Sequence, residues 1–378
     1  MREPKIALTH HWLTSPGGAE KVLYELHQMY PEAPIYTSAY DPKKFPEFAG
    51  ADIRTTFLDK IPFLKLKHQL FPIFLGTPFK TLDMSGYDIV ISSCAAEAKY
   101  VRTSGETLHI CYCHTPVRYY WSDYEWRLKN LPFGAFNWLA RLVFPVLIGV
   151  LRWVDYRAAQ GVDVFVANSR HIQRRIAQYY HRDSTVIYPP IVMGAQGVVG
   201  SGGRDYYLIV GRQVASKRLD VAVDAFNSLG LPLKVVGAGE EIARQRPRAQ
   251  ANIEFLGRVS DDERDRLFAG AKAFVFPPEE DFGMVPLEAM AVGTPVIAYD
   301  GGGAPEYVTD GETGVLFGSQ TGAALADAVQ RFEGMTFDEG VIRARAKEFD
   351  ASIFRKTMAK FVRDKWDVFT LNKGTLRP

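Results

Sequence analysis

The sequence predicts an α/β chain of two domains, each a parallel sheet wound with helices, and three observations carry that prediction. Short apolar runs rich in Val, Ile, Phe and Tyr recur along the chain, each followed by a loop and then a segment with helical spacing of apolar residues. At 378 residues and 47% hydrophobic content the chain can fill two cores. Residues 194–203, rich in Gly and Ser, have the composition of a linker between them. The boundaries that follow are a first domain over 1–193, a linker over 194–204, a second domain over 205–350 and a closing helical segment over 351–378.

Residues 5–9 read as the first strand. His10, His11 and Trp12 lead from it to Pro16-Gly17-Gly18 and a helix from about Ala19. Paired glycines there make a tight turn, or let backbone approach a ligand closely. Between Arg54 and Lys80, aromatic and aliphatic residues alternate with Lys60, Lys65 and Lys67 against one acid, Asp59. Such a mixture suits an anionic membrane surface, and equally an amphipathic helix pair packed on the sheet. Residues 87–92 and 108–113 are further strands, and the second places His114 at its C-terminal end, where a doubly wound sheet presents side chains to ligands. A structural role fits a lone histidine there as well. Residues 133–153, apolar yet carrying Asn137, Arg141 and Arg152, predict a buried or interfacial helical pair. After a strand over 162–167, Asn168 and Ser169 cap a basic helix over 170–180.

In the second half, a strand over 206–210 is followed by Gly211, Arg212 and Lys217. Two cations flanking a loop behind a strand can meet one diphosphate, or can be a surface charge cluster. Strands over 233–236 and 252–256 follow; Gly237-Ala238-Gly239 reads as a turn, and Arg258 and Val259 come directly after a strand end. An apolar run over 273–276 then enters Pro277-Pro278-Glu279-Glu280-Asp281-Phe282-Gly283-Met284-Val285-Pro286-Leu287-Glu288. This strand-to-helix crossing puts the free N–H groups of a helix's first turn where they favour an anion. Glu280 before the turn and Glu288 about one and a half turns in can face one ligand, although each also fits a solvated position. A strand over 295–299, turns at Asp310-Gly311 and Gly314, and a helix over 349–370 complete the chain.

Composition removes several function classes. A net charge of +2 does not suggest nucleic-acid binding. The halves differ, with 22 Lys and Arg against 17 Asp and Glu in residues 1–190, and 23 against 26 in the rest. A basic first half points to an acidic surface or acceptor there. Cys94, Cys111 and Cys113 fit neither a disulfide framework nor zinc spacing and read as core residues of a reducing cytoplasm. The chain opens without a basic-then-apolar leader, and its longest uncharged apolar run, residues 142–151, is too short to span a bilayer.

Two runs carry a family resemblance. Glu280-x-Phe282-Gly283-x-x-x-x-Glu288, continued by Ala289-Met290-Ala291-x-Gly293-x-Pro295-Val296-Ile297-Ala298, Gly301-Gly302-Gly303-x-x-Glu306 and Asp310-Gly311-x-x-Gly314, resembles retaining nucleotide-sugar glycosyltransferases of family four. His114-Thr115-Pro116-x-Arg118-Tyr119-x-Trp121 is similar to the corresponding run of bacterial mannosyltransferases of O-antigen and exopolysaccharide assembly.

The resemblance implies the GT-B architecture, α/β with two Rossmann-like domains whose parallel sheets face a central cleft. The acceptor domain comes first, the nucleotide-sugar domain second, and the last helix crosses back. It implies a retaining hexosyltransferase moving α-mannose from GDP-mannose, or a sugar from a UDP- or dTDP-linked donor, to a glycan acceptor. That acceptor would be polyprenyl diphosphate-linked, at the cytoplasmic face of the cell membrane, with the enzyme peripheral on an anionic surface. By the same resemblance Gly17 and Gly18 lie against the diphosphate and the acceptor. Gly211, Arg212, Lys217 and the helix start at Phe282, Gly283, Met284 and Val285 hold the diphosphate. Arg258 and Val259 border the base, and Glu288 binds ribose. Glu280 binds sugar hydroxyls near the reacting centre, which His114 approaches from the first domain. No Asp-x-Asp triplet occurs, so neither a metal ion nor another cofactor is expected.

Two rivals fit less well. A dinucleotide-dependent oxidoreductase would need a full Gly-x-Gly-x-x-Gly fingerprint with an acid about twenty residues on, which is not found. A sugar-binding protein has little use for the Arg212 and Lys217 pair.

Overall fold

Two all-parallel sheets organise the computed structural model, which describes residues 3–61, 76–131, 134, 137–191, 204–372 and 374. Residues 62–75, with Lys65 and Lys67, Phe133 and most of the Gly-rich linker lie outside the described residues. The chain forms two compact units, Met1–Tyr188 with Phe354–Pro378, and Pro189–Ile353.

The first unit holds β1 (Ile6–His10), β2 (Ile35–Thr37), β3 (Ile53–Thr55), β4 (Ile89–Cys94), β5 (Leu108–Cys113), β6 (Val164–Ala167) and β7 (Ser184–Val186), in the order β3-β2-β1-β4-β5-β6-β7. Central β4 and β5 are buried at every position, as continuous apolar runs in a sheet covered on both faces should be. On one face Leu8, Ile91, Ile110 and Val166 pack against Val22, Leu23 and Leu26 of α1 (Gly18–Met29). On the other, Val90, Cys94, Cys111, Cys113 and Phe165 meet Ile172, Ile176 and Tyr180 of α3 (Arg170–Tyr180), where α2 (Asn137–Gln160) also packs. The three cysteines are buried free thiols. Ser169 caps α3, its hydroxyl accepting from the Ile172 N–H at 3.1 Å.

The second unit holds β8 (Tyr206–Val210), β9 (Leu233–Val236), β10 (Ile253–Gly257), β11 (Ala271–Phe276), β12 (Val296–Tyr299) and β13 (Gly314–Phe317), in the order β10-β9-β8-β11-β12-β13. Around them run α4 (Leu219–Leu229), α5 (Asp261–Gly270), α6 (Met284–Ala291), α7 (Gly322–Glu333) and α8 (Glu339–Lys347). Tyr207, Val235, Val275 and Ile297 form one core with Val223, Phe226, Leu325 and Val329 of α4 and α7.

In both sheets the chain starts in the middle, winds to one edge and returns to wind to the other. The reversal falls between β1 and β4 in the first sheet and between β8 and β11 in the second. Loops leaving neighbouring strands there diverge, and a crevice opens at the strands' C-terminal ends. Lys217 and Glu280 lie beside the second reversal, and His10 and Ser93 beside the first.

Two expectations change in detail. Residues 133–153 are not a helical pair, because α2 is a single helix that runs through Pro145. Pro145 is exposed, so the carbonyl it leaves unbonded has access to water. The units part at residues 188–189 rather than 193, and the outgoing and returning chains pair inside the second unit, the Ile191 N–H donating to the Phe349 carbonyl at 2.9 Å. The closing helix α9 (Ala351–Leu371) joins the first unit from Phe354 onward, burying Phe354, Met358, Val362 and Phe369 against its sheet.

Candidate active site

In the second unit the ends of adjacent β8 and β11 bring together the two loops with the strongest charges. Lys217, in a short 3₁₀ turn after β8, forms an ion pair and hydrogen bond with Glu280, in the loop after β11. Their side chains are 27% and 23% exposed, so the pair is half-open to solvent. A ligand bringing one anionic and one hydroxyl-rich part can replace each partner with its own groups.

Neighbouring residues fix that geometry. Arg218 takes a left-handed backbone, with φ 54°, uncommon for a residue with a side chain and frequent where a site imposes a conformation. Its guanidinium binds Asp220 and donates to both the side chain (3.2 Å) and the carbonyl (3.1 Å) of Gln320. The Gln320 amide in turn donates to the Pro277 carbonyl at 2.8 Å. Gln320 thus ties the Lys217 loop to the Glu280 loop. Neither Arg218 nor Gln320 was legible as a site residue, since both act through the folded backbone.

Glycines let the loops approach one another. The Gly303 N–H donates to the Glu280 carbonyl at 2.8 Å, and a Cβ on Gly302 would lie 2.2 Å from that same oxygen. A Cβ on Gly237 would lie 1.8 Å from the Gly211 carbonyl oxygen. Gly237-Ala238-Gly239 is therefore more than a turn, because it is the wall against which the Arg212 loop rests, with the Gln213 N–H donating to the Ala238 carbonyl at 3.0 Å.

The crossing itself stands on an aromatic base. Phe282 is buried against Tyr307 and Phe349, with ring centroids 5.4 and 5.8 Å away. What Phe282 can offer a ligand is therefore backbone. With Gly283 as N-cap, φ 84°, and Met284 and Val285 in the first turn, α6 presents its unbonded N–H groups beside β8. Such groups carry the positive end of the helix dipole.

The other expected residues spread along the same sheet edge. Gly211 directly follows β8, and Arg212 beside it is exposed, its carbonyl accepting from the Val214 N–H at 3.0 Å. Glu288, half-buried on α6, feels the charge of Arg264 on α5, which also pairs with Asp261 (2.6 Å) and Asp265 (2.8 Å). Arg258, exposed, and Val259 follow β10, the sheet's outer strand.

The first unit carries its own polar cluster at the equivalent reversal. His114, buried after β5, places Nε2 2.8 Å from the Ser93 hydroxyl of β4. That hydroxyl lies 3.2 Å from His10 Nδ1, and His10 Nε2 lies 3.4 Å from the Glu20 carboxylate. Because an ionised carboxylate only accepts, the chain has one consistent direction: His10 donates to Glu20, Ser93 donates to His10, and His114 donates to Ser93. His114 is left with Nδ1 as an acceptor. Burial, reinforced by His10 and His11, holds the His114 pKa well below the ordinary value, and burial lowers that of His10 to about 3. Both are neutral hydrogen-bonding groups at pH 7.

Glu20, Ser93 and His10 were missed in the sequence. The available signal was Glu20 directly after the glycine pair, in the first turn of α1. Gly17 and Gly18 are exposed at that helix start, and a Cβ on Gly17 would lie 3.0 Å from the Glu20 carboxylate. His10, His11 and Glu20 each bring a donor atom within 4.8 Å of the others. Both His10 nitrogens lie against protein groups, Ser93 and Glu20.

Comparison with known proteins agrees with this division. The family described as Glycosyltransferase Family 4 matches residues 16–193, and that described as Glycosyl transferases group 1 matches residues 198–347. An uncharacterized glycosyltransferase of Methanocaldococcus jannaschii is 30% identical over 164 residues, 42% of this chain and 46% of that protein. The GDP-mannose-dependent alpha-(1-6)-phosphatidylinositol monomannoside mannosyltransferase of Mycobacterium tuberculosis is 30% identical over 218 residues, 50% of this chain and 56% of that one. The aligned part thus spans about half the length of these curated relatives. Among solved structures, Anabaena HepE in complex with UDP-glucose superposes with a TM-score of 0.68 at 19% identity, covering 96% of this chain and 100% of that one. Two parallel-sheet units, the first matched by the Glycosyltransferase Family 4 model and the second by the Glycosyl transferases group 1 model, place this chain among the family 4 glycosyltransferases of the GT-B fold.

Proposed function

We propose that the protein is a retaining mannosyltransferase that moves α-mannose from GDP-mannose to a hydroxyl of a glycan acceptor. The acceptor is carried on a polyprenyl diphosphate, and the enzyme works peripherally at the cytoplasmic face of an anionic membrane in cell-surface polysaccharide assembly. The observation that carries the reading is the Lys217–Glu280 pair beside the start of α6 at the β8/β11 reversal. Breaking a glycosidic bond needs the departing diphosphate stabilised, which Lys217, Arg212 and the helix N–H groups supply. Glu280 takes sugar hydroxyls, Glu288 the ribose, Arg258 and Val259 border the base, and His114, with Gly17 and Gly18, serves the sugar and acceptor side. Mannose and GDP are supported by the run from His114 to Trp121 and by the GDP-mannose-dependent relative.

The test is turnover measured across GDP-, UDP- and dTDP-linked sugars, with a lipid-linked acceptor, in excess chelator. GDP-mannose should be used fastest and EDTA should leave transfer intact, because two cations and a helix terminus already serve the diphosphate. Faster use of a UDP- or dTDP-sugar would replace the donor assignment. Loss of activity in EDTA restored by Mg²⁺ or Mn²⁺ would reject the metal-independent roles.

Lys217→Ala separates binding from folding. A hydrogen bond to a charged group contributes roughly 1.5–3 kcal/mol, so the donor Kd should rise about 10- to 150-fold. A half-exposed ion pair contributes only about 0–1 kcal/mol to stability, so thermal unfolding should barely move. Calorimetric titration with GDP-mannose and a melting curve on the same sample check both statements. Unchanged donor affinity would put the diphosphate elsewhere.

A further inference from the structure

The amphipathic helix α2 has no part in the chemistry above, and its two faces could hardly differ more. Asp155 is fully buried and accepts hydrogen bonds from Lys99 (2.6 Å), Tyr100 (2.9 Å), Trp121 (2.8 Å) and Tyr180 (2.7 Å). Ile148 and Leu151 on the same side pack against Val117 and Tyr120. That side anchors the helix and fixes its rotation. At 100° per residue, Trp138, Leu142, Val146, Val150 and Trp153 fall together on the opposite side. They are exposed to between 56% and 70%, with Val146 at 70% and Trp138 and Trp153 at 64% and 63%. Isolated apolar residues on a surface need no explanation, but a stripe along four turns does.

The flanks indicate what covers it. Asp155, the only acid of α2, is buried, whereas Arg141 and Arg157 are exposed. Trp138 and Trp153 bracket the stripe, about 22 Å apart along the axis. Tryptophan at the ends, aliphatic residues between and arginines alongside is the composition of a helix lying in a bilayer interface. No helix among the described residues is long and apolar enough to cross a membrane. Next to the stripe, Val143, Val146 and Val150 line a cavity of about 410 Å³ with Tyr100, Tyr120 and Lys80. Its apolar wall suits a hydrocarbon chain, and its lysine a phosphate headgroup.

We propose that α2 is the membrane-docking element, lying in the plane of an anionic phospholipid surface with Trp138, Leu142, Val146, Val150 and Trp153 among the acyl chains. This deepens the reading of a lipid-linked acceptor and rests on it, while moving the attachment from the stretch between Arg54 and Lys80 to α2.

The experiment is co-sedimentation with phosphatidylcholine vesicles, with and without phosphatidylglycerol, and with acyl chains brominated to quench tryptophan. The wild type should bind only the anionic vesicles, release in high salt, and lose fluorescence to the brominated chains. Leu142→Asp/Val146→Asp should lower the partition coefficient at least about 10- to 100-fold, the worth of burying one aliphatic side chain. Its donor hydrolysis in solution should match the wild type, so a failure of docking is distinguishable from a failure of the enzyme assignment. Vesicle binding unchanged in the variant, or absent in the wild type, overturns the proposal. So does a wild-type dimer that the same variant splits without any vesicle binding, because the stripe then covers a second copy.

Discussion

Lys99→Met should cost the first unit about 3–5 kcal/mol of stability, the usual penalty for removing one partner of a buried ion pair. Lys99 and Asp155 are 1% and 0% exposed. Burial alone would strip Lys99 of its proton, but Asp155 beside it outweighs that and holds its pKa above the usual range. With the ammonium gone, Asp155 keeps three neutral donors and no countercharge. Tryptophan fluorescence is a clean reporter, because all six tryptophans, Trp12, Trp121, Trp126, Trp138, Trp153 and Trp366, lie in the first unit. Urea unfolding followed this way should shift its midpoint down by roughly 1–5 M, given a slope of about 1–3 kcal/mol per molar. A loss under about 1 kcal/mol would mean that water or a neighbour compensates Asp155 and that the network does not hold α2 in place.

The same unfolding transition should respond to pH in two opposed ways. Burial pushes Glu97 up to about 7, with Asp155 raising it further and Lys99 opposing. A raised carboxyl pKa contributes stability that is present below the unfolded value, near 4.5, and is lost as pH rises through about 7. His10 and His114 act the other way, since their depressed values contribute stability present above about 6.5 and lost as pH falls. Lys99→Met, which removes the charge opposing Glu97, should extend the loss on the alkaline side to higher pH and make it larger.

Long buried strands and the sheet edge they build were readable from the chain. Strands β5, β8 and β9 fall where continuous apolar runs place them, because a strand buried on both faces needs no alternation to be recognised. Strands β2, β3 and β7 have three residues each, too few for any period, and exist because a neighbouring strand offers them hydrogen bonds. The site divides in the same way. Glu280, Lys217 and His114 stand at strand ends, where position alone suggests a ligand. Gln320 and Ser93 serve through partners 43 and 21 residues away, and no local pattern encodes such distances. The exposed face of α2 was undecided for another reason: its apolar residues fitted a buried or an interfacial helix alike until the structure showed Asp155 and not Val146 pointing inward.

Glu280→Gln should lower kcat by about 10- to 1,000-fold, or about 1.4–4 kcal/mol of transition-state stabilisation, while leaving or even tightening donor binding. The second half of that expectation comes from the pair with Lys217. In the free protein Glu280 occupies the ammonium that the diphosphate would use. An amide in its place competes less for Lys217, so KM for the donor should not rise. Had Glu280 only a structural role, kcat and KM would worsen together with stability.

The same loop argues against a covalent intermediate. A double-displacement carboxylate must stand against the anomeric carbon on the side opposite the leaving group, normally with an acid/base partner about 5 Å away. Glu280, its carbonyl held by the Gly303 N–H, lies four residues before Met284 opens α6, so it travels with the helix start that, on the proposed function, would bind the leaving group. From there it reaches sugar hydroxyls rather than the opposite side. On the proposed function, the departing phosphate would take the acceptor's proton on the side it leaves, and the α configuration would be kept without a protein nucleophile. NMR of the product should show an α linkage from an α-linked donor, and mass spectrometry of enzyme quenched during turnover should find Glu280 unmodified. A β-linked product, or a glycosyl adduct on Glu280, would end this account.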